Sequence, residues 1–159
     1  MSNKDLIVSF YNSFARKDFE NMGIVYDDRA TFDDPAFSLK GREIAAMWHM
    51  LCERGRDLEI TFEAVKEEGG YVYAHWEAIY SFSLTKRKVH NKIDARFRFE
   101  DQKVIEHIDT FNFWRWSSQA LGTPGIVLGW SPFLKNRVRK QAADSLTTFI
   151  SKNPKYQAD

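Results

Sequence analysis

The chain has 159 residues, a length that fits one domain with a hydrophobic core of its own. Its net charge of only +1 disfavours a nucleic-acid-binding protein. The single cysteine, Cys52, excludes an intramolecular disulfide bond and a Cys-x-x-Cys metal or redox motif. Because no apolar run could span a membrane and Met1 to Asp5 lack a signal-peptide pattern, we expect a soluble, cytoplasmic protein.

The first third of the chain predicts helices around one short strand. A helix over 3–16 is indicated by apolar residues at helical spacing, namely Leu6, Ile7, Phe10, Tyr11 and Phe14. Asp18 can cap a short helix over 19–24, and a strand from Ala30 stops at Pro35. Ile44, Met47, Trp48 and Leu51 indicate a third helix over 42–54.

Four strands follow, separated by turn residues such as Gly69-Gly70. Their predicted ranges are 58–66, 71–84, 89–99 and 104–114. Helices followed by an antiparallel meander favour an α+β fold with the helices on one face of the sheet.

The chain after Arg115 has a different character. Glycines mark a loop up to Ser131-Pro132, which resembles a helix start, and an apolar stripe then predicts a helix over 132–151. The stripe consists of Leu134, Val138, Ala142, Leu146 and Phe149. We expect residues 1–116 to form the α+β domain, and residues 117–159 a loop and helix packed on it or across a dimer. Six basic residues against two acidic ones from Pro132 onward indicate a solvated helix face or a weak contact with an anionic surface.

Alternate residues along the strands suggest a site. Residues two apart on a strand lie on the same face of it. His75 therefore shares a face with Glu77, and His107 shares a face with Asp109. If the odd-numbered faces of neighbouring strands coincide, these four side chains converge on an aromatic wall that contains Phe97 and Phe111. Burial there would raise a carboxyl pKa towards the range useful for acid–base catalysis.

The remaining candidates are substrate contacts rather than catalytic groups. They are Tyr11, Asp34, Trp48, Tyr73, Asn91, Phe97 and Phe111. Two histidines and two carboxylates also have metal-ligand chemistry, but nothing in the sequence places them within bonding distance of one ion. We therefore predict no metal and no cofactor.

Two stretches resemble the nuclear transport factor 2-like superfamily. They are Phe32-Asp33-Asp34-Pro35 and the closing stretch from Phe97 to Asp109, which contains Glu106-His107-Ile108-Asp109. The closing stretch is similar to the SnoaL-like polyketide cyclase and limonene epoxide hydrolase branches, although Gln102 stands where a turn glycine is usual. The tail, with Trp114-Arg115-Trp116 and Gly129-Trp130-Ser131-Pro132, resembles that of a bacterial subgroup.

The resemblance implies a curved sheet wrapped by helices into a cone with an internal pocket, commonly in a dimer. It also implies that Asp109 is the carboxylate of the last strand that performs acid–base chemistry. An Arg-x-Asp pair of the epoxide hydrolases would correspond to His75-x-Glu77, a departure that counts against epoxide hydrolysis. The acid of ketosteroid isomerase, which shares this architecture, falls near Ala95 and has no counterpart here.

Three functions are compatible with these features. The first is an isomerase, cyclase or hydrolase acting on a small apolar metabolite, with Asp109 as base, His75 and Glu77 orienting substrate or water, and His107 tuning Asp109. The second is a non-catalytic ligand-binding module, and the third is a dimeric interaction module. We expect a homodimer through the outer sheet face, where even-numbered residues such as Trp76, Tyr80 and Phe82 would form an aromatic patch.

Overall fold

A computed structural model describes residues 1–157, which form one six-stranded mixed sheet and six α-helices. The helices are α1 (Asn3–Ala15), α2 (Phe19–Gly23), α3 (Arg42–Arg54), α4 (Phe113–Leu121), α5 (Thr123–Leu128) and α6 (Pro132–Ser151). The strands are β1 (Tyr26–Asp33), β2 (Ser38–Lys40), β3 (Glu59–Glu68), β4 (Tyr71–Ser81), β5 (Lys88–Glu100) and β6 (Lys103–Thr110). A 3-10 turn, Pro154–Tyr156, follows α6. The α+β fold with a curved sheet is thus confirmed.

The strands lie in the order β2-β1-β6-β5-β4-β3, so the first strand joins the sheet beside the last. The β1–β6 pair is parallel, and the other neighbouring pairs are antiparallel. This order brings Phe32 of β1 directly opposite His107 of β6. Two sequence-distant stretches, which carry the Asp34 and Asp109 candidates, therefore meet at one end of the sheet.

One face of the sheet packs against α1 and α3. The core there is largely aromatic, with Phe10, Phe14 and Trp48 supplied by the two helices and at most 2% exposed. Their rings meet edge to face, as between Phe14 and Trp48, whose centroids lie 5.1 Å apart. Offset and edge-to-face contacts of this kind stabilise a core beyond the burial of their surface.

The register between β4 and β5 corrects the expected alignment of faces. Tyr80 pairs with Val89 and Ala74 with Ala95, so even-numbered residues of β4 share a face with odd-numbered residues of β5. Trp76 consequently points into the core, where it is 7% exposed, and not out of the sheet. Tyr80 lies on the same inner face, and Phe82 packs against Trp116 of α4. The outer aromatic patch on which the expected homodimer depended is therefore wrong.

The chain after β6 is more helical than expected. The last strand ends at Thr110, and α4 and α5 occupy most of the stretch from 113 to 131, where the sequence predicts a strand end and a loop. The Asn112 side chain accepts a hydrogen bond from the Arg115 amide at 3.0 Å and caps α4. The strands β1 and β4 likewise have other bounds than expected, and β2 was not predicted.

The C-terminal helix is confirmed at its expected bounds, Pro132–Ser151. The Ser131 hydroxyl accepts a hydrogen bond from the Leu134 amide, and Pro132 occupies the first turn, where its missing N–H costs nothing. Leu146 and Phe149 are buried in the main core, and α6 packs on α3. No helix within residues 1–157 is long and apolar enough to cross a membrane.

Candidate active site

The inner face of the sheet carries a buried carboxylate. Asp109 near the end of β6 is 4% exposed, and its neighbour on the same face, His107, is fully buried. Asp109 Oδ1 lies 2.8 Å from His107 Nε2 and accepts a longer hydrogen bond, 3.5 Å, from Trp76 Nε1. A buried carboxylate without partners would be strongly destabilised, so these N–H groups are what make its position tenable.

The other nitrogen of His107 is held by Tyr26 of β1. The Tyr26 hydroxyl lies 2.8 Å from His107 Nδ1 and accepts a hydrogen bond from Trp48 Nε1 at 3.0 Å. Because the indole can only donate, the hydroxyl proton is free to point at Nδ1, which leaves Nε2 as the protonated nitrogen. The four side chains form one directed chain, from Trp48 through Tyr26 and His107 to Asp109.

Aromatic rings enclose this chain of hydrogen bonds. Phe97 packs on the His107 ring with centroids 4.0 Å apart, and Phe10 and Phe32 lie edge-on to the same ring. Burial raises the pKa of Tyr26 well above its ordinary value, and the charge of Asp109 adds to that rise, so the hydroxyl stays protonated. The imidazole is therefore fixed in position and tautomer by rigid neighbours.

Tyr11 of α1 adds an unpaired polar group beside the carboxylate. Its ring lies 6.1 Å from Trp76 and 6.2 Å from Phe97, between centroids, and its hydroxyl is buried with no partner among residues 1–157. Burial, and then the charge of Asp109, raise the pKa of Tyr11 well above its usual value. Buried hydroxyls are almost always hydrogen-bonded, so this group is available to a bound polar atom.

A second carboxyl, Asp34, lies at the end of β1. Its Oδ1 accepts hydrogen bonds from the backbone amides of Ala36 and Phe37, at 2.7 and 2.6 Å. The pKa of Asp34 is raised to about 7: burial makes the largest contribution, the Phe37 amide opposes the rise, and the charge of Asp109 adds to it. Arg139 of α6 donates to the carbonyl oxygens of Asp34 and Pro35, so α6 is fastened over this turn.

The structure separates His75 and Glu77 from Asp109, so their expected convergence is wrong. His75 pairs with Asp94 and Glu77 with Lys92, all on the face of the sheet away from the helices. The cause is the register of β4 against β5, which puts Ala74, Trp76 and Ala78 inside.

On the outer face these residues form a cluster of their own. His75 lies 2.9 Å from both Asp94 and Glu77, and His90 Nε2 lies 2.6 Å from Glu77. Asp94 first, and then Glu77, raise the pKa of His75, which favours the imidazolium form. Glu63, His75 and Glu77 also bring ligand atoms within 4.8 Å of one another, making them the described group with the chemistry to hold a metal ion.

The other expected contact residues divide between the faces. Tyr11, Trp48 and Phe97 lie in the core around Asp109, and Asn91 lies on the same face of β5, opposite Ala78. Phe111 is half-buried and packs against the core. Tyr73 lies on the outer face beneath the Lys66 ammonium, which is 5.7 Å from its ring, so its expected role at the inner site is wrong.

Sequence reasoning missed three residues that shape the inner site. Tyr26 is followed by the charged residues Asp27-Asp28-Arg29, which do not resemble a strand, so the sequence does not predict that β1 begins at Tyr26. Trp76 is predicted on the outer face because of its even position. Arg139 looked like one of several solvated cations of α6. The sequence predicts that Arg139 lies on α6 next to Val138, but no local pattern predicts its contact with Asp34.

Aromatic side chains pack around the Asp109–His107 pair. Phe10 and Trp48 lie against the His107 ring, and Tyr11 is buried. Two open surface grooves, one along α4 and one along α6, are lined by other residues. The internal pocket that the sequence predicts stays a prediction.

Comparison with known proteins identifies the family. The model of the SnoaL-like domain matches residues 7–107, which is more than half of the chain. The chain belongs to the SnoaL-like domain family. A comparison with curated proteins found no match.

Solved structures place this SnoaL-like chain in the nuclear transport factor 2-like fold. An epoxide hydrolase of the limonene epoxide hydrolase type from M. tuberculosis is 16% identical, with a TM-score of 0.63 over 79% of this chain and 92% of that one. IdmH from Streptomyces antibioticus, described as a candidate polyketide cyclase, is also 16% identical, with a TM-score of 0.63 over 75% and 98%. A protein with a ketosteroid isomerase-like fold from Catenulispora acidiphila is 14% identical, with a TM-score of 0.65 over 80% and 97%.

Proposed function

We propose that this SnoaL-like protein is an acid–base enzyme for a small, largely apolar metabolite, with Asp109 as the general base. The observation that carries the proposal is the directed hydrogen-bond chain from Trp48 through Tyr26 and His107 to Asp109. A fixed imidazole behind a carboxylate orients the carboxylate and supports its change of charge. The apolar rings around it suit an apolar substrate.

Asp34 supplies the complementary acid. A carboxyl whose pKa is about 7 is protonated in a large fraction of molecules at neutral pH, so it can donate a proton where Asp109 accepts one. Asp109 would remove a proton from a carbon next to a carbonyl, or from a water molecule. Asp34 would protonate the oxygen on which negative charge develops, and the Tyr11 hydroxyl would bind a polar atom of the substrate.

This pair of groups accounts for three reaction classes in one site. Return of the proton to another carbon gives an isomerase, attack of the carbanion on a second carbonyl gives a cyclase, and activation of water gives a hydrolase. The candidate polyketide cyclase and the epoxide hydrolase among the structural neighbours support this range of chemistry. His75 and Glu77 have no part in it, because they lie on the other face. A homodimer and a cytoplasmic location complete the proposal.

The test is proton exchange and turnover with a panel of bulky cyclic ketones and epoxides in D2O. The wild-type protein should catalyse incorporation of deuterium into the ketone next to its carbonyl, or the opening of an epoxide. Asp109→Asn should lower the rate of this reaction by at least about 100-fold, in line with general-base catalysis. Glu77→Gln is the matched control and should retain the wild-type rate. Turnover that survives Asp109→Asn would contradict the proposal.

The second candidate is a non-catalytic binding module, favoured by the edge-to-face contact between the rings of Tyr11 and Phe97, whose centroids lie 6.2 Å apart within the core. It predicts that ketones from the same panel bind without reacting. Binding that Tyr11→Phe weakens, together with no deuterium incorporation in any variant, would favour this candidate over the enzyme.

A further inference from the structure

Large exposed apolar side chains are concentrated on one part of the surface. Of the nine such residues within 1–157, six lie between positions 114 and 133. We call them the aromatic–aliphatic patch: Trp114, Ile126, Val127, Leu128, Trp130 and Phe133. Trp130 is 75% exposed and Phe133 is 65% exposed, although rings of this size are usually covered. Contiguous apolar surface of this kind marks a site of interaction.

The patch is held rigidly. Trp114 Nε1 donates to the Ile126 carbonyl at 3.0 Å, and Trp130 Nε1 donates to the Val127 carbonyl at 2.6 Å. Gly125 allows α5 to lie against α4, since a Cβ there would come within 1.9 Å of the Ser117 carbonyl oxygen. Both indoles therefore satisfy their one polar group within the protein and present their apolar rings outward.

The segment of the sequence that carries the patch is basic and contains no acidic residue. Residues 110–143 include five basic residues and no aspartate or glutamate. Trp114 shares an open groove with Arg87, Lys88 and Arg115. On α6, exposed Arg137 follows Phe133 by four positions, which places the two on the same side of the helix.

This charge distribution argues against a second copy of the chain as the occupant. A two-fold interface would set the patch against itself and bring its cations face to face without an acidic partner. Exposed tryptophan, phenylalanine and leucine among lysine and arginine are instead typical of proteins that lie in the interface of a bilayer, where anionic headgroups attract the cations.

We propose that the aromatic–aliphatic patch docks this protein on the surface of an anionic lipid bilayer. The rings of Trp130 and Phe133 enter the headgroup and acyl-chain boundary, and Arg115 and Arg137 contact lipid phosphates or carboxylates. The lipid-binding proposal is independent of the enzymatic one, because none of the residues proposed for the active site belongs to the patch.

The experiment is co-sedimentation of the full chain with vesicles. We expect the wild type to bind vesicles of phosphatidylcholine with 30% phosphatidylglycerol at least tenfold more tightly than pure phosphatidylcholine vesicles, and to lose binding in high salt. Trp130→Ser with Phe133→Ser should weaken partitioning at least tenfold, and Arg115→Gln with Arg137→Gln should abolish the preference for phosphatidylglycerol.

Ile24→Ser is the matched control, because Ile24 is 63% exposed and lies outside the patch. It should sediment like the wild type, and melting curves of all variants should overlay. Failure of the wild type to bind either vesicle overturns the proposal. Vesicle binding that the Trp130–Phe133 pair does not change also overturns it. So does a dimer in analytical ultracentrifugation that this pair of substitutions dissociates, since the patch would then be a protein interface.

Discussion

His107 Nε2 lies 2.8 Å from Asp109 Oδ1 on the helix-covered face of β6, with both side chains removed from solvent. The two residues are neighbours on one face of a strand, so the strand itself holds them in contact. What makes the pair directional is Tyr26, which joins β6 from a strand that lies far away in the chain.

Removing the Tyr26 hydroxyl should therefore cost stability without changing the shape of the core. Tyr26→Phe leaves the Trp48 N–H and His107 Nδ1 without their partner in a buried place, and we expect a loss of about 1–3 kcal/mol in the free energy of unfolding. Urea denaturation measures it. Tyr73→Phe, on the outer face, is the control and should change little; equal effects of the two substitutions would argue against the chain of hydrogen bonds.

Trp76 should behave as a core residue. Its ring contacts Tyr11, Phe14 and Trp48, so Trp76→Ala should lower the free energy of unfolding by about 3–5 kcal/mol. Trp130→Ala, which truncates an exposed ring, should change it by no more than about 0.5 kcal/mol. If Trp76→Ala instead dissociated a dimer and left the protomer fully stable, the inward position of this ring would be refuted.

Asp34 should make stability fall as pH rises towards neutrality. Its pKa is raised to about 7 in the folded protein, above the ordinary value of 3.8, so the folded state holds a proton that the unfolded state releases between these pH values. The stabilisation is complete below pH 3.8 and is lost as pH rises through about 7. Asp34→Asn retains an oxygen for the Ala36 and Phe37 amides, and its difference from the wild type should follow this pH dependence.

Carboxyl ¹³C NMR checks the same prediction directly. The Asp34 signal should titrate with a midpoint near pH 7, whereas Asp5, whose pKa is lowered by its hydrogen bonds with Ser2, should titrate below its usual value. A midpoint for Asp34 near 4 would remove the acid from the proposed mechanism.

His75 should titrate above its ordinary pKa because two carboxylates hold its ring. Asp94 makes the larger contribution and Glu77 the smaller one, so Asp94→Asn should shift the His75 midpoint down in an NMR titration. A raised histidine pKa stabilises the folded protein below the unfolded pKa of 6.5, and this contribution disappears as pH rises through the folded pKa. Asp28→Asn, an exposed acid on β1, should leave the midpoint unchanged.

Turn lengths and bulges explain which faces the sequence could align. Six residues, 82–87, separate the paired Ser81 and Lys88, and an even number reverses odd and even positions across the β4–β5 pair. The two-residue turn between Glu100 and Lys103 would also place odd-numbered residues of one strand opposite even-numbered residues of the other. A bulge at Arg98/Phe99 shifts the β5–β6 register by one residue, so Phe97 and His107 lie opposite each other on one face. A one-residue change of register moves every side chain of a strand to the other face.

Local patterns were sufficient for α1, α2, α3 and α6 and for the grouping of His107 with Asp109, but they did not predict α4 and α5. The capping signal of Ser131-Pro132 and the apolar stripe of α6 act over a few residues, and both are fulfilled in the structure. Alternation along β6 required nothing beyond the strand itself. The family resemblance in Phe32 to Pro35 and Phe97 to Asp109 added the curved sheet, because it contains information on the order of elements.

Only the tertiary structure decided the composition of the site. Tyr26 reaches His107 because β1 lies parallel beside β6, and Arg139 reaches the Asp34 turn because α6 packs back on α3. His75 and Glu77 are excluded from the site by the length of one loop. These relations join residues distant in the chain, and their energies depend on register and burial, quantities that no local window of sequence contains.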